Sequence, residues 1–474
     1  MKKYFIPVLA FFLFLPTLAS AHGFGQRIDL PLPLNLYLSG AGAMVAVSFL
    51  LIGLIRHKGE HIDQYPRYNL LSVGWIRNLA ESKILIESVK AFFVMVFLLV
   101  IVAGLFGRQS AVFNIAPTFV WILFGVGLTY FSAFIGNIWE LANPLKTLYG
   151  WAEKFAGKLS LDNVWPQGWG VWPAFLGFLA YRWIENVYPD AAVPATLATL
   201  VLFYSVVTLV GMFYFGRDVW LRYGDPFSVF FRFLSRFSLT EWRAIDGRNE
   251  LNLRPPAVGL FNRDGKIDTS VVVFVLFMLA SVAFDGVKVT PPWRELSSLL
   301  YQFGFSSVVI GTLGLLLLLA VFIGIYATFS FLVRLFAQSK ESVLSIARTF
   351  IFSLLPIAVV YEIAHFVTLL FIDGQRAIPL FSDPFGFGWN LFGTADYNIN
   401  FQLINLKTLW NWQVALIVLG HITAVYVAHI IANHFFGNRK TAMRSQFPML
   451  VLMVNYTMLG LWILAQPIVV GVID

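Results

Sequence analysis

Long apolar runs separated by short polar segments dominate this chain. A helix of roughly 20 residues crosses the hydrocarbon core of a bilayer, and ten runs approach or exceed that length. They lie near 35–55, 89–107, 117–136, 171–188, 194–216, 269–285, 306–334, 347–372, 411–435 and 448–470. The pattern predicts an all-α, polytopic transmembrane helix bundle of about ten spans.

The start of the chain has the pattern of a cleaved secretory signal. Two lysines precede an apolar run over residues 4–18, and the small residues Ala-Ser-Ala end at Ala21. This run is shorter than the roughly 20 residues that a span needs. We therefore expect 1–21 to be removed, which leaves His22 as the mature N-terminus, and 22–474 to form one integral membrane domain.

The composition agrees with this assignment. Of the 474 residues, 58% are hydrophobic and only 12% are charged, whereas soluble proteins carry about 25% charged residues. A soluble enzyme and a disordered protein are therefore excluded. The chain has no cysteine, so it is not a disulfide scaffold and has no thiolate metal ligands.

The net charge of +8 follows from membrane topology. With the mature N-terminus outside, 23 Lys and Arg lie in or beside the segments predicted to be cytoplasmic, and six lie in the outer segments. This is the bias that the positive-inside rule describes. It predicts a multi-pass bacterial inner-membrane protein with both termini in the periplasm, and it removes the reason to expect nucleic-acid binding.

A reporter fused after Asp474 tests this topology. We expect a reporter that works only in the periplasm to be active there, and a cytoplasmic reporter to be silent. The opposite result would mean that the number of spans is odd.

Two predicted inner loops share a helix-start pattern. Asn143-Pro144 precedes LKTLYGWAEKF, and Asp225-Pro226 precedes FSVFFRFLSRF. Asn or Asp as N-cap, followed by Pro at the first helical position, favours a helix. Aromatic residues mixed with Lys and Arg are typical of helices that lie in the membrane surface.

Ionisable residues inside the predicted spans are the main functional candidates, because such groups are costly in a bilayer. Glu362 and His365 are three residues apart on span eight, and His421 on span nine has a similar depth in the outer half. A carboxylate with two imidazoles suits zinc or another divalent ion that activates water. Arg182 of span four lies near its outer end, with Glu185 and Asp285 at a similar level.

Other interpretations of these residues stay open. They also fit a polar network that holds the helices together, in which Arg182 and Glu185 simply form an ion pair, or a solute pathway. His429 lies about 12 Å along the helix from His421, so both cannot bind one ion, and an interfacial position is expected. His22 offers an amine and an imidazole to one metal, which favours copper if a second histidine such as His365 joins.

Seven segments, in order along most of the chain, carry a family resemblance. They are AHGFGQRIDLPLPLNLYLSGAGA after the signal, NPLKTLYGW, DPFSVFFRFLSRF, VLFMLASVAFDG, AHFVTLLFIDGQ, SDPFGFGWNLFGT and NWQVALIVLGHITAVYVAH. The chain resembles bacterial membrane proteins known as fenitrothion hydrolases. His365, Gln375, Asp383, His421 and His429 fall within these segments.

The resemblance implies hydrolysis of an organophosphorus ester at the P–O-aryl bond of an apolar small molecule that enters from the lipid bilayer. The chemistry expected from the residues is a hydroxide on a metal held by His365, His421 and Glu362, with Arg182 near the developing charge. Two alternatives remain: a transporter or copper-handling protein that uses His22 and the same polar residues, and a non-catalytic assembly subunit.

Overall fold

The computed structural model describes residues 32–54, 65–245, 247–261 and 267–470, and for residues 54 and 467–470 it describes the backbone alone. The predicted signal, His22 and Asp474 lie outside the described residues. The helices are α1 Leu34–Leu54, α2 Gly74–Ala80, α3 Lys83–Phe106, α4 Ile115–Phe134, α5 Trp139–Ala142, α6 Pro144–Ala156, α7 Trp172–Val187, α8 Pro194–Phe215, α9 Arg217–Tyr223, α10 Pro226–Leu234, α11 Thr269–Val287, α12 Pro291–Gln302, α13 Ser307–Ala337, α14 Val343–Phe371, α15 Ala377–Ser382, α16 Leu406–Phe436 and α17 Arg439–Val470.

The strands form one small antiparallel sheet. They are β1 Tyr68–Asn69, β2 Thr240–Ile245 and β3 Arg248–Leu253, in the order β1-β3-β2. Trp242 pairs with Leu251 in the β2–β3 hairpin, and Tyr68 pairs with Leu253. This sheet lies in segments that were predicted to be loops, and it joins the connection after α1 to the connection before α11.

The all-α bundle is confirmed. Within the described residues nine helices are long and apolar enough to cross a membrane. The remaining predicted span, near 171–188, is α7, which has 16 residues. At 1.5 Å per residue it is about 24 Å long, which is shorter than the roughly 30 Å hydrocarbon core of a bilayer.

Helix α7 nevertheless passes from one end of the bundle to the other. At its start, the Val171 N–H donates to Ser270 Oγ at 2.7 Å, beside the first residues of α11. At its end, the Asn186 carbonyl accepts from Lys288 Nζ at 3.3 Å, just after α11. Because α11 is a 19-residue candidate span, the two helices cross the same thickness.

The long helices alternate in direction, so their connections gather at two ends. We call the end with residues 107–114, 188–193 and 288–306 the outer end, and the end with residues 135–171 and 216–261 the inner end. Tyr37 Oη of α1 donates to Asn411 Oδ1 of α16 at the outer end. Arg439 Nη2 donates to the Gly53 carbonyl at the inner end.

Helices α11 and α14 form the centre of the bundle. In each of them 78% of the most apolar stretch is buried, against 28% in α13, which faces the lipid. Phe274 of α11 stacks on Phe178 of α7 with ring centroids 5.1 Å apart, and Phe277 meets the same ring edge to face at 5.9 Å. The face of α7 that carries Phe178 and Arg182 is therefore buried against its neighbours, which explains how it tolerates a buried arginine.

Both predicted helix starts are confirmed. Asn143 Oδ1 accepts from the Lys146 N–H at 3.0 Å, and Asp225 Oδ2 accepts from the Ser228 N–H at 2.7 Å. That both helices lie in the membrane surface stays a prediction. The phenylalanines of α10 are buried in the main core, where Phe227 packs on Phe124 of α4, while its polar residues Ser228 and Arg232 line a cavity.

The crossing of α7 can be tested with single cysteines, since the chain has none. Ala156→Cys lies at the end of α6 and Asp190→Cys lies in the α7–α8 loop, and both positions are exposed. We expect a membrane-impermeant maleimide to label them from opposite faces of the membrane. Ala111→Cys, also exposed at the outer end, should label together with Asp190→Cys. Labelling of 156 and 190 from one face would contradict the crossing.

Candidate functional site

A buried arginine joins α7 to α14. The Arg182 side chain is only 4% exposed, and its Nη1 lies 2.7 Å from Glu185 Oε2 one turn further along α7. Its Nη2 forms an ion pair with Glu362 Oε1 of α14, which is also buried. The predicted pair between Arg182 and Glu185 is present, and Glu362 completes a group of one cation between two carboxylates.

A second ionic group lies one turn away and includes α11. His365 Nε2 is 2.7 Å from Asp285 Oδ2, and Lys288 Nζ is 2.8 Å from Asp285 Oδ1. The same ammonium donates to the Asn186 carbonyl of α7. His365 is 14% exposed and Asp285 is 29% exposed, so this group reaches the outer surface, whereas the Arg182–Glu362 pair is enclosed.

The two groups form one network on three helices. Glu362 and His365 are three residues apart on α14, and Arg182 and Asn186 are four apart on α7, so each pair shares a helix face. The network holds two permanent cations and three carboxylates. It is electrically balanced when His365 carries a proton and has one negative charge in excess when His365 is neutral.

His421 does not join this network. Gly420 lies against the Val360 side chain, and Gln413 Nε2 donates to the Ala364 carbonyl at 2.8 Å, so α16 packs on the face of α14 that holds positions 360 and 364. Glu362 is two residues from each, a rotation of roughly 200°. Glu362 therefore points away from α16. Although Glu362 and His421 have a similar depth in the bundle, they do not belong to one site.

The predicted metal ligands are engaged elsewhere. Glu362 pairs with Arg182, His365 pairs with Asp285, and His421 Nδ1 donates to the Ile417 carbonyl at 2.8 Å. In the part of the chain that the structure describes, no group of three or more His, Asp or Glu residues is arranged to hold a metal ion. The predicted zinc set does not fit, and the copper site at His22 lies outside the described residues.

His429 is also placed differently from the prediction. It is 2% exposed, with Nδ1 2.9 Å from Gln446 Oε1 of α17 and Nε2 2.9 Å from Asn433 Nδ2. It was expected at the membrane interface. Its position inside the α16–α17 contact allows two polar partners to satisfy both ring nitrogens, which an estimate of depth alone could not reveal.

Several buried polar atoms around the network have no protein partner. They are Arg182 Nε, Asn186 Oδ1 and the Tyr361 hydroxyl. Buried polar groups are normally hydrogen-bonded, and water often provides the bond. These atoms therefore add polar groups without a protein partner to the interior beside the ion pairs. Asn186 and Lys288 also belong to the site and were not predicted from the sequence, although the Asp285–Lys288 spacing of three is a recognisable signal.

A large apolar cavity lies on a neighbouring face of α7. It has a volume of about 740 Å³ and lies between α3, α4, α7, α8 and α10. Phe97, Trp121, Gly177, Ile184 and Phe203 are among its lining residues. Tyr181 also lines it, and the guanidinium carbon of Arg182 lies 5.9 Å from the centre of that ring. One side chain thus separates the cavity from the ion network.

Comparison with known proteins gives no relative. No protein-family model, no curated protein and no solved structure matches this chain.

Removal of one partner from the Arg182–Glu362 pair should destabilise the fold strongly. Glu362→Leu leaves a buried arginine with one remaining carboxylate, and breaking a buried pair costs about 3–5 kcal/mol. Replacement of both charges, in Arg182→Met/Glu362→Leu, should recover much of that loss because neither fully buried charge remains, and only the partly exposed Glu185 loses its partner. The measurement is the free energy of unfolding of the purified protein in a lipid–detergent mixture.

Glu295→Gln on the exposed face of α12 is the matched control for loss of a carboxylate, and it should change stability little. A double variant less stable than Glu362→Leu would show that the pair is not the source of the effect.

Proposed function

We propose that this chain is a membrane-embedded hydrolase of an apolar organophosphorus ester and that His365 is its general base. The observation that carries the proposal is the 2.7 Å contact between His365 Nε2 and Asp285 Oδ2, in a pair that reaches the outer surface. A histidine whose ring is oriented by a carboxylate is a recurring arrangement for activating a nucleophile. The resemblance to fenitrothion hydrolases supplies the substrate class.

The proposed reaction uses water as the nucleophile. Asp285 accepts from Nε2–H, which leaves Nδ1 of His365 as the proton acceptor. Nδ1 takes a proton from water as its oxygen bonds to phosphorus, and the P–O-aryl bond breaks. The aryl oxide leaves and then receives that proton from His365. Lys288 holds the other Asp285 oxygen at 2.8 Å and so fixes the carboxylate.

Arg182 and Glu362 have positioning roles in this proposal. Both are buried and bound to each other, so neither touches the reacting atoms. Their pair fixes α7 against α14 at the turn before His365. This proposal therefore differs from the roles expected from the sequence, in which Glu362 and Arg182 were catalytic groups and Glu362, His365 and His421 were metal ligands. Here His365 is the general base, and its neighbours position it.

The apolar cavity supports the substrate class. Its volume of about 740 Å³ falls within the roughly 300–1,000 Å³ of small-molecule sites. A neutral aryl ester partitions into lipid, and this cavity is lined almost entirely by apolar side chains of membrane helices. We propose that the substrate collects there and reaches the ionic network past Tyr181. The positive-inside bias of the sequence supports a periplasmic position for the outer end in a bacterial inner membrane.

A second candidate is a proton-coupled solute pathway. The observation that favours it is the row of acidic, basic and imidazole groups beside buried polar atoms without a protein partner, since such chains conduct protons in membrane transporters. In this alternative His365 takes up a proton from the periplasm and balances the charge of the network.

Substitution of the pair separates these candidates. We expect His365→Ala and Asp285→Asn each to lower hydrolysis of an aryl organophosphate at least roughly a hundredfold, because general-base catalysis contributes 10²–10⁴-fold. The double variant should lose no more than the single ones, since the two residues act as a unit. The assay uses membranes that contain each variant at equal abundance.

Two other histidines serve as comparisons. His434 is exposed on α16, and His434→Ala should retain full activity. His421→Ala should also retain activity per folded molecule, whereas the three-ligand metal site predicts its loss. Full hydrolysis by His365→Ala would refute the proposed base. Proton uptake by proteoliposomes that depends on His365, without hydrolysis, would favour the pathway instead.

A further inference from the structure

A second cavity, at the inner end of the bundle, has a different chemical character. Its volume is about 520 Å³, and it lies between the end of α4, the start of α6, α9, α10 and the segment before α11. Arg222, Arg232, Arg236 and Lys146 line it together with Asn143. The two helix-start motifs of the sequence thus meet at one polar cavity that plays no part in the proposed hydrolysis.

The cationic side chains that line this cavity outnumber its carboxylates by four to three. Arg232 donates from Nη2 to the Arg222 carbonyl at 2.6 Å, which is a neutral acceptor. No carboxylate of the described residues lies within ion-pair distance of Arg222 or Arg232. Burial, with Arg236 and Arg222 close by, lowers the pKa of Arg232 to about 10. The surroundings of Arg232 therefore disfavour its positive charge, as expected of a site in which a bound anion balances that charge.

The carboxylates that line the cavity have partners other than Arg222 and Arg232. Asp268 accepts from the Val271 N–H at 3.2 Å as the N-cap of α11. Glu140 lies 3.7 Å from Lys146, and Asp218 lies 3.3 Å from Arg217, each as an exposed pair.

A buried donor in the cavity also has no partner. Asn143 is 1% exposed, and while its Oδ1 caps α6, its Nδ2 makes no hydrogen bond. An amide donor in a cavity lined by arginines suits an acceptor-only ligand, and arginine forks match the oxygens of phosphate. The charge of the cavity and its donors favour a tetrahedral oxyanion, and its volume leaves room for a larger molecule that carries the anion.

We propose that this inner-end cavity binds a phosphate group through Arg222, Arg232 and Asn143. The group comes from free phosphate or from the head of an anionic phospholipid, since the cavity lies where the membrane meets the inner aqueous phase. Its occupant ties α6, α9 and α10 together.

The test measures the thermal midpoint of the full-length protein in phosphatidylcholine nanodiscs. In one arm inorganic phosphate is added, and in the other phosphatidylglycerol replaces part of the lipid. A ligand that binds the folded state raises the midpoint in a concentration-dependent way. A response to phosphate identifies the soluble source, and a response to phosphatidylglycerol alone identifies the lipid.

Two variants make the test specific. Asn143→Asp keeps the cap of α6, because Asp and Asn cap equally well, but it replaces the donor with a carboxylate that repels the ligand. Arg232→Gln removes a charge-assisted bond. Each should weaken binding roughly ten- to a hundredfold. Asn143→Asp should itself fold stably, since the arginines then face an internal carboxylate.

The control is Arg248→Gln, which removes an exposed arginine of β3 outside the cavity. It should respond to phosphate or phosphatidylglycerol like the unaltered protein. No response of the unaltered protein in either arm would overturn the proposal. An equal response in Asn143→Asp and Arg232→Gln would also overturn it, since phosphate then acts on stability in general.

Discussion

The pairing of Arg182 with Glu362 constrains the rest of the bundle. A charged side chain among apolar helices has no water to solvate it, so it must meet an opposite charge at close range. This requirement fixes the rotation and height of α7 relative to α14. Asp285 then extends the constraint to α11, because it holds His365 of α14 and Lys288 beside the end of α7.

This constraint also explains the unusual character of α7. A helix of 16 residues with Arg, Glu and Asn in its last two turns would be unstable in contact with lipid. Packed on α11 and α14, it turns its polar face to their charges. Its other face lines the apolar cavity, so one short helix separates an ionic network from a lipid-like space. This juxtaposition makes chemistry on an apolar substrate physically reasonable.

The two ends of the bundle treat charge differently. At the outer end the cations Arg182 and Lys288 are each paired with a carboxylate, and the paired histidine stays near the surface. At the inner end the arginines of α9 and α10 surround a cavity whose carboxylates are engaged with other partners. The excess of cations that orients a membrane protein therefore also creates an electrostatic site. The arginines that contribute to the positive-inside bias are thus the same residues that we propose to bind the ligand.

Local patterns in the amino-acid sequence were enough to predict the helical class, the approximate bounds of the spans and the caps at Asn143 and Asp225. These features depend on local composition and on neighbours within a few residues. The sequence also identified Arg182, Glu362, His365 and Asp285 as costly groups with some role. Fold class and candidate residues follow from these short-range signals because a bilayer penalises every polar group inside it.

Which of these groups meet depends on how the helices pack in three dimensions. Depth along a helix can be counted from sequence, but the side of α14 that faces each neighbour depends on how ten helices pack. Glu362 therefore meets Arg182 while His421, at a similar depth, lies across the opposite face. The burial of α10, the two polar partners of His429 and both cavities have the same origin. Each arises between helices distant in sequence, where no local pattern carries the information.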